Sequence, residues 1–265
     1  MEHIWGNNLV INGKTADASG YEPDSSAVIF YEVIRVIDGL YLFLDDHLER
    51  LQVSCGDSIS TYPTKDLICS NLDLLIESSS AKEGNVRLLI YDLAGQCNIV
   101  CFFTFHFYPT TEDYNRGVVV KTFRFERPDP TIKRWNNSFR AKVNKFIRDE
   151  NIYEAILLSE DGKLTEGSRS NLFFIDQEDR LNTAPASQVL PGITRKYVFQ
   201  ICAELGISIV ERAIDLQEVS SMKACFISGT SPKVLPIYKL NEISLDAGHI
   251  LVQKILQSFN QLIIP

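Results

Sequence analysis

The sequence predicts a mixed α+β protein of two domains, and three observations support this class. The first hundred residues contain short apolar strands that meet at turn dipeptides such as Asn-Gly at 12–13, a pattern typical of β-hairpins. Residues 109–116 are polar and turn-rich. Beyond them, apolar strands alternate with helix-like segments. We therefore predict a smaller domain over residues 1–112 and a larger one over 118–265.

The smaller domain is predicted to hold two hairpins, two helices and two further strands, at residues 3–14, 27–44, 45–51, 65–78, 86–93 and 98–108. Asp45 and Asp46 are good N-cap residues for the first of these helices. The larger domain is predicted to hold strands and two helices, at residues 118–125, 140–150 (helix), 155–158, 171–175, 194–205 (helix), 207–213 and 224–227. This order of elements indicates mixed α+β structure without an internal repeat.

Composition and charge exclude several classes of protein. The chain is 45% hydrophobic and 23% charged, as in ordinary globular proteins. Its net charge of −8, with basic residues spread along the chain, disfavours general binding to nucleic acid. The six cysteines form no CxxC pair, no secretory leader precedes them, and no apolar run reaches the length of a membrane span. We expect a cytoplasmic protein.

Four polar segments have compositions that core packing does not require. In the first, His47 and Arg50 lie three residues apart and share a helix face, which is also typical of a solvated helix. In the second, residues 165–174, a polar loop enters an apolar strand. Two interpretations are open for this segment. Glu166 and Asn171 face a ligand at the entrance of the strand, or the segment is a loop without a binding role.

The other two segments look like seats for an anion. Residues 190–195, Leu-Pro-Gly-Ile-Thr-Arg, lead into a helix whose first-turn amides, with the Thr194 hydroxyl, would bind a phosphate. Residues 228–232, Ser-Gly-Thr-Ser-Pro, offer small hydroxyl donors after an apolar strand. Either seat is weak evidence alone, but the two together with an arginine suit a phosphorylated ligand. The sequence has no Walker A, GxGxxG or GxSxG motif, and its four histidines are too scattered to predict a metal site.

In this order and spacing, the four segments resemble the class IV family of pyridoxal-phosphate enzymes, which includes branched-chain aminotransferases, D-amino-acid aminotransferases and aminodeoxychorismate lyases. The resemblance runs from Tyr-Glu-Val-Ile-Arg at 31–35 to Gly-Thr at 229–230 and covers nearly the whole chain. It implies fold-type IV, with a small α/β domain and a larger mixed-sheet (pseudobarrel) domain. It also implies a homodimer that acts on a small-molecule amino acid and a keto acid, with pyridoxal 5′-phosphate as cofactor.

The resemblance implies six cofactor-binding residues, namely Arg50, Glu166, Asn171, Ile193, Thr194 and Thr230. The arginine, the helix start and Thr230 would bind the phosphate, and Glu166 would pair with the pyridine nitrogen. A carboxylate beside that nitrogen favours its protonated form, which makes the ring a better sink for electrons.

The family's Schiff-base lysine lies on a strand a little over thirty residues before that glutamate. Lys133 stands 33 residues before Glu166, so we assign it as the catalytic lysine, with Lys142 as the runner-up. The residues that follow it differ from many relatives, since Arg134-Trp-Asn-Asn replaces a more apolar run. Ser138 takes the position of a tyrosine found in the branched-chain enzymes.

The substrate-binding residues are less clearly implied by the resemblance. The arginine of a Thr-Arg-Gly motif, common in D-amino-acid aminotransferases and the lyases, is absent from the strand at 86–93. Four residues are candidate substitutes, with a structural role as the alternative for each: Tyr31, Arg35, Arg87 and Tyr91.

Three functions stay open at this point. The first is transamination of an amino acid with a keto acid through a Schiff base on Lys133. The second is the lyase reaction that converts aminodeoxychorismate to 4-aminobenzoate and pyruvate. The third is a binding protein that holds the cofactor without catalysis, which the altered sequence after the lysine keeps open.

Overall fold

The computed structural model describes residues 4–24 and 26–263, and they form two compact units. The first unit runs to Phe107 and also takes in Ile132–Trp135; the second comprises Tyr108–Thr131 and the chain from Asn136 onward. Every helix in those described ranges is too short or too polar to cross a membrane. The segment Ile132–Trp135, which carries Lys133, therefore belongs with the first unit although we predicted a cofactor domain over 118–265.

The first unit contains one six-stranded sheet and two helices. Its strands are β1 (Ile4–Ile11), β2 (Lys14–Asp17), β3 (Phe30–Ile37), β4 (Leu40–Tyr41), β5 (Gly84–Leu93) and β6 (Gln96–Thr104). They are ordered β2-β1-β6-β5-β3-β4, and every neighbouring pair is antiparallel. The predicted hairpin turn is present, because Asn12 and Gly13 both have positive φ, as a type I′ turn requires.

Both faces of this sheet are buried, with different partners. Helices α1 (Leu44–Cys55) and α2 (Lys65–Ser79) cover one face, and their Leu51 and Leu72 pack with the strands in a common core. The other face carries a second cluster that contains Tyr31, Tyr91 and Trp135. Alternate residues of one strand thus serve a packing face and an aromatic face.

A short 3₁₀ helix, Gly56–Ser58, follows α1. Phe43, in the left-handed conformation, precedes α1 and no side chain caps it, so the predicted capping by Asp45 and Asp46 is wrong. Both aspartates instead occupy the first helical turn, where their charge complements the helix dipole. The second helix has the expected cap, because the Thr64 side chain accepts a hydrogen bond from the Leu67 amide.

The second unit contains ten strands, four helices and two 3₁₀ helices. The strands are β7 (Val118–Arg124), β8 (Glu154–Leu158), β9 (Lys163–Gly167), β10 (Asn171–Ile175), β11 (Leu181–Thr183), β12 (Ile209–Glu211), β13 (Ile214–Asp215), β14 (Ala224–Gly229), β15 (Lys233–Leu240) and β16 (Ile243–Ser244). The helices are α3 (Thr111–Arg116), α4 (Asn137–Asp149), α5 (Ile193–Glu204), α6 (Ile250–Leu262) and the 3₁₀ turns Ala186–Gln188 and Leu216–Ser221.

These strands form one mixed sheet whose order is β12-β11-β10-β14-β15-β7-β8-β9-β13, with β16 beside β15. The strand β7 runs parallel to β8 and β15, whereas most other pairs are antiparallel. An additional pairing between Glu166 of β9 and Asn171 of β10 closes six strands into a ring. All six contribute to one apolar core. The predicted α+β class with a larger mixed sheet is confirmed.

Several elements of the second unit differ from the sequence prediction. Residues 111–116, predicted as turns, form α3, because Thr110 and Asp113 make a reciprocal capping box. The strand predicted at 207–213 is reduced to Ile209–Glu211, since only that part pairs with β11. The prediction did not include the helix α6 or the strands β9, β11, β13, β15 and β16.

Candidate active site

Lys133 is held along the edge of β3 in the first unit. The Tyr31 amide donates to the Lys133 carbonyl (3.3 Å), and the Trp135 amide donates to the Ile29 carbonyl (2.9 Å). The Lys133 amide in turn donates to the Ser54 hydroxyl (3.3 Å). The Lys133 Nζ lies 4.9 Å from the centre of the Tyr31 ring. The two candidates differ, because the runner-up Lys142 is exposed on α4 whereas the Lys133 amine lies next to the buried Tyr31 ring.

Arg87 joins Lys133 and Tyr31 on the aromatic face of the sheet. Its guanidinium carbon lies 5.4 Å from the Tyr31 ring centre and 4.7 Å from the Trp135 ring centre. The two rings meet edge to face, with centres 5.5 Å apart. Arg87 is only 7% exposed, so its charge is stabilised here by two π-systems. Tyr91 belongs to the same apolar cluster as the two rings.

Arg35 has a different environment. Its Nη2 donates to Glu83 Oε2 (3.2 Å), and Glu83 also accepts a hydrogen bond from the Asp38 amide (3.0 Å). This arrangement ties the β3–β4 turn to the chain before β5. It favours a structural role for Arg35 over substrate binding.

Arg50 lies on α1 beside a fully buried carboxylate, Glu32. Its Nε donates to Glu32 Oε1 (2.7 Å) and its Nη2 to Oε2 (2.6 Å), while His47 Nδ1 lies 2.8 Å from the same Oε2. Burial raises the pKa of Glu32, but the adjacent Arg50 charge and the hydrogen bonds outweigh it and hold that pKa well below the usual range. Burial lowers the pKa of His47 and outweighs the charge and hydrogen bond of Glu32, which raise it, while the charges of Arg50 and Lys133 act in the same direction as burial. The carboxylate is therefore ionised, and His47 is neutral and donates Nδ1–H.

Glu166 lies in the second unit, at the pairing that closes the ring of strands. Its Oε1 accepts from Arg127 Nε (2.9 Å), and its Oε2 accepts from the Leu190 amide (3.0 Å). The side chain is 4% exposed and that of Arg127 is 19% exposed. The carboxylate is thus fixed by a cation and a backbone amide at the start of the turn before α5.

Asn171, on the neighbouring strand, holds the same turn. Its Nδ2 donates to the Leu190 carbonyl (2.8 Å). A Cβ at Gly192 would lie 2.0 Å from Asn171 Oδ1, so only glycine fits there beside the amide. Asn171 therefore positions the turn between Leu190 and α5.

Ile193 and Thr194 are the first two residues of α5. The N-cap residue, Gly192, has no side chain to satisfy the first-turn amides, and the first turn carries no acidic residue. Both features favour an anion at this end of the helix. Thr230 directly follows β14, which pairs with β10. Of the four phosphate-binding residues predicted by the resemblance, Arg50 lies in the first unit. The other three lie in the second unit: Ile193, Thr194 and Thr230.

A cavity of about 700 Å³ lies in the second unit beside the Arg127–Glu166 pair. Its lining includes Glu126, Asp161 and Arg212. Of the predicted site residues in the described ranges, Glu166 alone lines it. The cavity therefore borders the carboxylate and does not coincide with the predicted phosphate seat.

Four residues of these environments were not found from the sequence: Glu32, Ser54, Arg127 and Trp135. Glu32 had the clearest signal, because a carboxylate at an inward position of an apolar strand requires a cationic partner. The basic His47–Arg50 helix face was the natural candidate. Arg127 had no comparable signal, since nothing local links it to a residue 39 positions later.

Comparison with known proteins settles the family. Residues 29–240 match the model described as amino-transferase class IV. The chain belongs to this family. It is 28% identical over 232 residues to the D-alanine aminotransferase of Bacillus licheniformis, covering 82% of this chain and 81% of that protein. It is 23% identical over 240 residues to the aminodeoxychorismate lyase of Bacillus subtilis, covering 81% of this chain and 78% of that protein.

Among solved structures, the fold is similar to that of a hypothetical aminotransferase from Mycobacterium tuberculosis in its PLP-bound form. The TM-score is 0.81 at 16% identity, with 97% of this chain and 99% of that chain covered. The expected fold-type IV architecture and the family are both confirmed, and the relatives named here are enzymes, an aminotransferase and a lyase.

Proposed function

We propose that the protein is a pyridoxal-phosphate-dependent aminotransferase that transfers an amino group from an amino acid to a keto acid. The observation that carries the proposal is the placement of Lys133. Within a class IV chain, its amine lies beside a buried tyrosine ring in the same unit as the Glu32–Arg50 pair. The relatives named above carry aminotransferase and lyase activities, which supports the same reaction class.

The donor chemistry of the chain fits this cofactor. A primary amine on Lys133 suits the cofactor's aldehyde, and the guanidinium of Arg50 with the uncapped start of α5 suits its phosphate. Glu166 supplies a fixed carboxylate for the pyridine nitrogen. We assign these roles to this chain, together with Thr230 as a further phosphate ligand and Asn171 as the residue that holds the turn.

The bound cofactor supplies an electron sink for negative charge that develops on the substrate's α-carbon. Lys133 Nζ would hold the cofactor at its aldehyde carbon, with loss of water. Once the substrate amine displaces it, the free Lys133 amine would take the proton from the α-carbon and return it to that same cofactor carbon. Glu166 would keep the pyridine nitrogen protonated, and Arg50 with the amides of Ile193 and Thr194 would hold the phosphate so that the ring keeps its orientation.

Replacement of Lys133 tests this assignment directly. In wild-type protein, pyridoxal phosphate should give a visible absorption band that borohydride removes by covalent reduction. Lys133→Ala should abolish the band and lower turnover by roughly 10²–10⁴-fold or more. Lys142→Ala is the matched control and should leave both unchanged. A reducible band that persists in Lys133→Ala but is lost in Lys142→Ala would transfer the role to the runner-up.

The lyase reaction is the second candidate, and the Bacillus subtilis relative favours it. The two reactions differ in what they require. Pyruvate formed from aminodeoxychorismate with no keto acid present would identify a lyase. Turnover of L- or D-amino acids that depends strictly on a keto-acid acceptor would identify an aminotransferase. Cofactor binding without either reaction would identify a binding protein.

We infer that Arg87 binds a carboxylate of the substrate, with Tyr31 beside it and Tyr91 in the apolar cluster that contains Tyr31. Its guanidinium carbon lies 5.4 Å and the Lys133 amine 4.9 Å from the centre of the Tyr31 ring, so no more than about 10 Å separates the two groups. The Arg35–Glu83 pair makes Arg35 the weaker candidate. Arg87→Ala should raise KM far more than it lowers kcat, and a fall in kcat with KM unchanged would refute the assignment.

A homodimeric state is part of the proposal and is supported by the family resemblance. A cytoplasmic location is also part of it and is supported by the unpatterned cysteines and the short apolar runs of the sequence. Sedimentation analysis of the holoprotein tests the first. A mass of one chain, 30.0 kDa, would refute it. Fractionation of cells that express the protein tests the second.

A further inference from the structure

The buried cluster of Glu32, His47 and Arg50 is built more elaborately than helix packing requires. His47 and Arg50 stand three residues apart on α1 and converge on a single carboxylate from β3. Glu32 is fully buried, His47 is 2% exposed, and the Arg50 side chain is 9% exposed. The three side chains are therefore almost completely shielded from solvent, and their polar groups bond to one another.

Stability alone does not explain such a cluster. Removing two charges from water costs about as much as their attraction returns, so apolar residues of similar volume would pack this helix at least as well. Other positions of α1, such as Leu48 and Leu51, do pack in that way. The charged cluster must therefore serve the placement of one of its members.

The geometry identifies Arg50 as that member. Its Nε and Nη2 are both used by the two oxygens of Glu32, a bidentate contact that fixes the plane of the guanidinium and the direction of its remaining N–H bonds. His47, which is neutral, donates to Oε2 and fixes the carboxylate without adding a competing positive charge. A long, flexible arginine is thereby held in one orientation before any ligand arrives.

We propose that Glu32 and His47 are positioning residues that pre-orient Arg50 for the phosphate of the cofactor. The inference rests on the proposed function, since it takes Arg50 as a phosphate ligand. Pre-orientation removes the entropy cost of ordering the side chain during binding. The contribution of the cluster is therefore specific to ligands that carry the phosphate.

Binding of pyridoxal phosphate and of pyridoxal, which lacks the phosphate, tests the proposal. Each ligand is titrated into the apoprotein and its affinity is read from the visible absorption band. Glu32→Gln breaks the charged bidentate contact and should weaken pyridoxal phosphate by about 10- to 100-fold, the range for loss of a charged hydrogen bond. The affinity for pyridoxal should change by less than about 3-fold.

Substitutions at His47 provide a milder test that keeps the ion pair. His47→Leu removes the donor and should weaken pyridoxal phosphate by about 3- to 10-fold. His47→Asn, which retains an N–H donor, should recover most of that loss. Glu83→Gln is the matched control, because it breaks an arginine–glutamate pair on the same sheet, with Arg35, and should leave both affinities unchanged.

Equal losses of affinity for the two ligands, or no rescue by His47→Asn, would overturn the inference while the proposed function stands. Wild-type protein that binds neither ligand would overturn the proposed function and the inference together. Thermal unfolding of each variant identifies any that fails to fold. If Glu32→Gln fails to fold, the comparison of His47→Leu with His47→Asn decides the question.

Discussion

The contact between Gly192 and Asn171 gives a prediction whose size follows from the structure. A methyl group added at residue 192 would lie 2.0 Å from Asn171 Oδ1 and 3.2 Å from its Cγ. The amide must then move by roughly 1 Å or more, which breaks its hydrogen bond to the Leu190 carbonyl. Overpacking costs about 1–3 kcal/mol and the lost bond about 1 kcal/mol. Gly192→Ala should thus destabilise the fold by about 2–4 kcal/mol.

Thermal unfolding measures this effect as a fall in Tm of roughly 5–15 °C. Gly248→Ala is the matched control, because its new Cβ would meet only Asp246 Oδ1 at an ordinary 3.4 Å. The double variant Gly192→Ala with Asn171→Ala removes the clashing amide. It should be no less stable than Asn171→Ala alone, a non-additive result expected for residues in contact.

The same variants connect stability to function. Displacing the turn at Gly192 moves the start of α5, so Gly192→Ala should also weaken binding of pyridoxal phosphate. A Gly192→Ala protein with wild-type Tm, or full additivity in the double variant, would refute the argument from the glycine contact.

Three further outcomes are expected. Arg127→Met removes the side chain that donates to Glu166 Oε1, and because Arg127 is partly exposed the free energy of unfolding in urea should fall by about 2–3 kcal/mol; unchanged stability would show that the other partners of Glu166, including the Leu190 amide, suffice. Burial lowers the pKa of His47 in the folded protein, so its contribution to stability is complete above about pH 6.5 and is lost as the pH falls. The Tm of wild type should therefore drop between about pH 7 and 5, and His47→Asn should flatten that slope; parallel curves would contradict a neutral buried histidine. Trp135→Leu removes one of the two rings that contact the Arg87 guanidinium and should raise the KM for substrate by about 3- to 10-fold with kcat nearly unchanged. A fall in kcat alone would show that the ring acts on a step after substrate binding.

Local chemistry made much of the fold predictable. The Asn12-Gly13 turn requires two positive φ angles, and few dipeptides adopt them, so the first hairpin could be placed from the sequence. The start of α5 was predictable within one residue, because proline and glycine before it define the turn. In contrast, α6 has no capping side chain of the usual type and begins after His249, so no start signal marked it.

The candidate site also has one part that the sequence predicts and another part that it does not. The motif order and the spacing from Lys133 to Glu166 depend on covalent sequence alone, and they were sufficient to predict the family that the comparison confirmed. The partners of these residues depend on contacts between distant segments. Arg127 meets Glu166 only because β7, β8 and β9 are neighbours in the sheet, and their pairing is not encoded at either residue.

The sequence by itself therefore determined the fold class, the family and the types of side chain available for binding a phosphorylated cofactor. The tertiary structure decided which of them lie in contact with one another and with other side chains. It placed Lys133 along β3 beside Tyr31, locked Arg50 onto Glu32, and closed the ring of strands at Glu166. The physical reason is that backbone preferences and motif spacing are local, whereas burial of a charge or a ring is set by whichever distant segment the fold brings into contact.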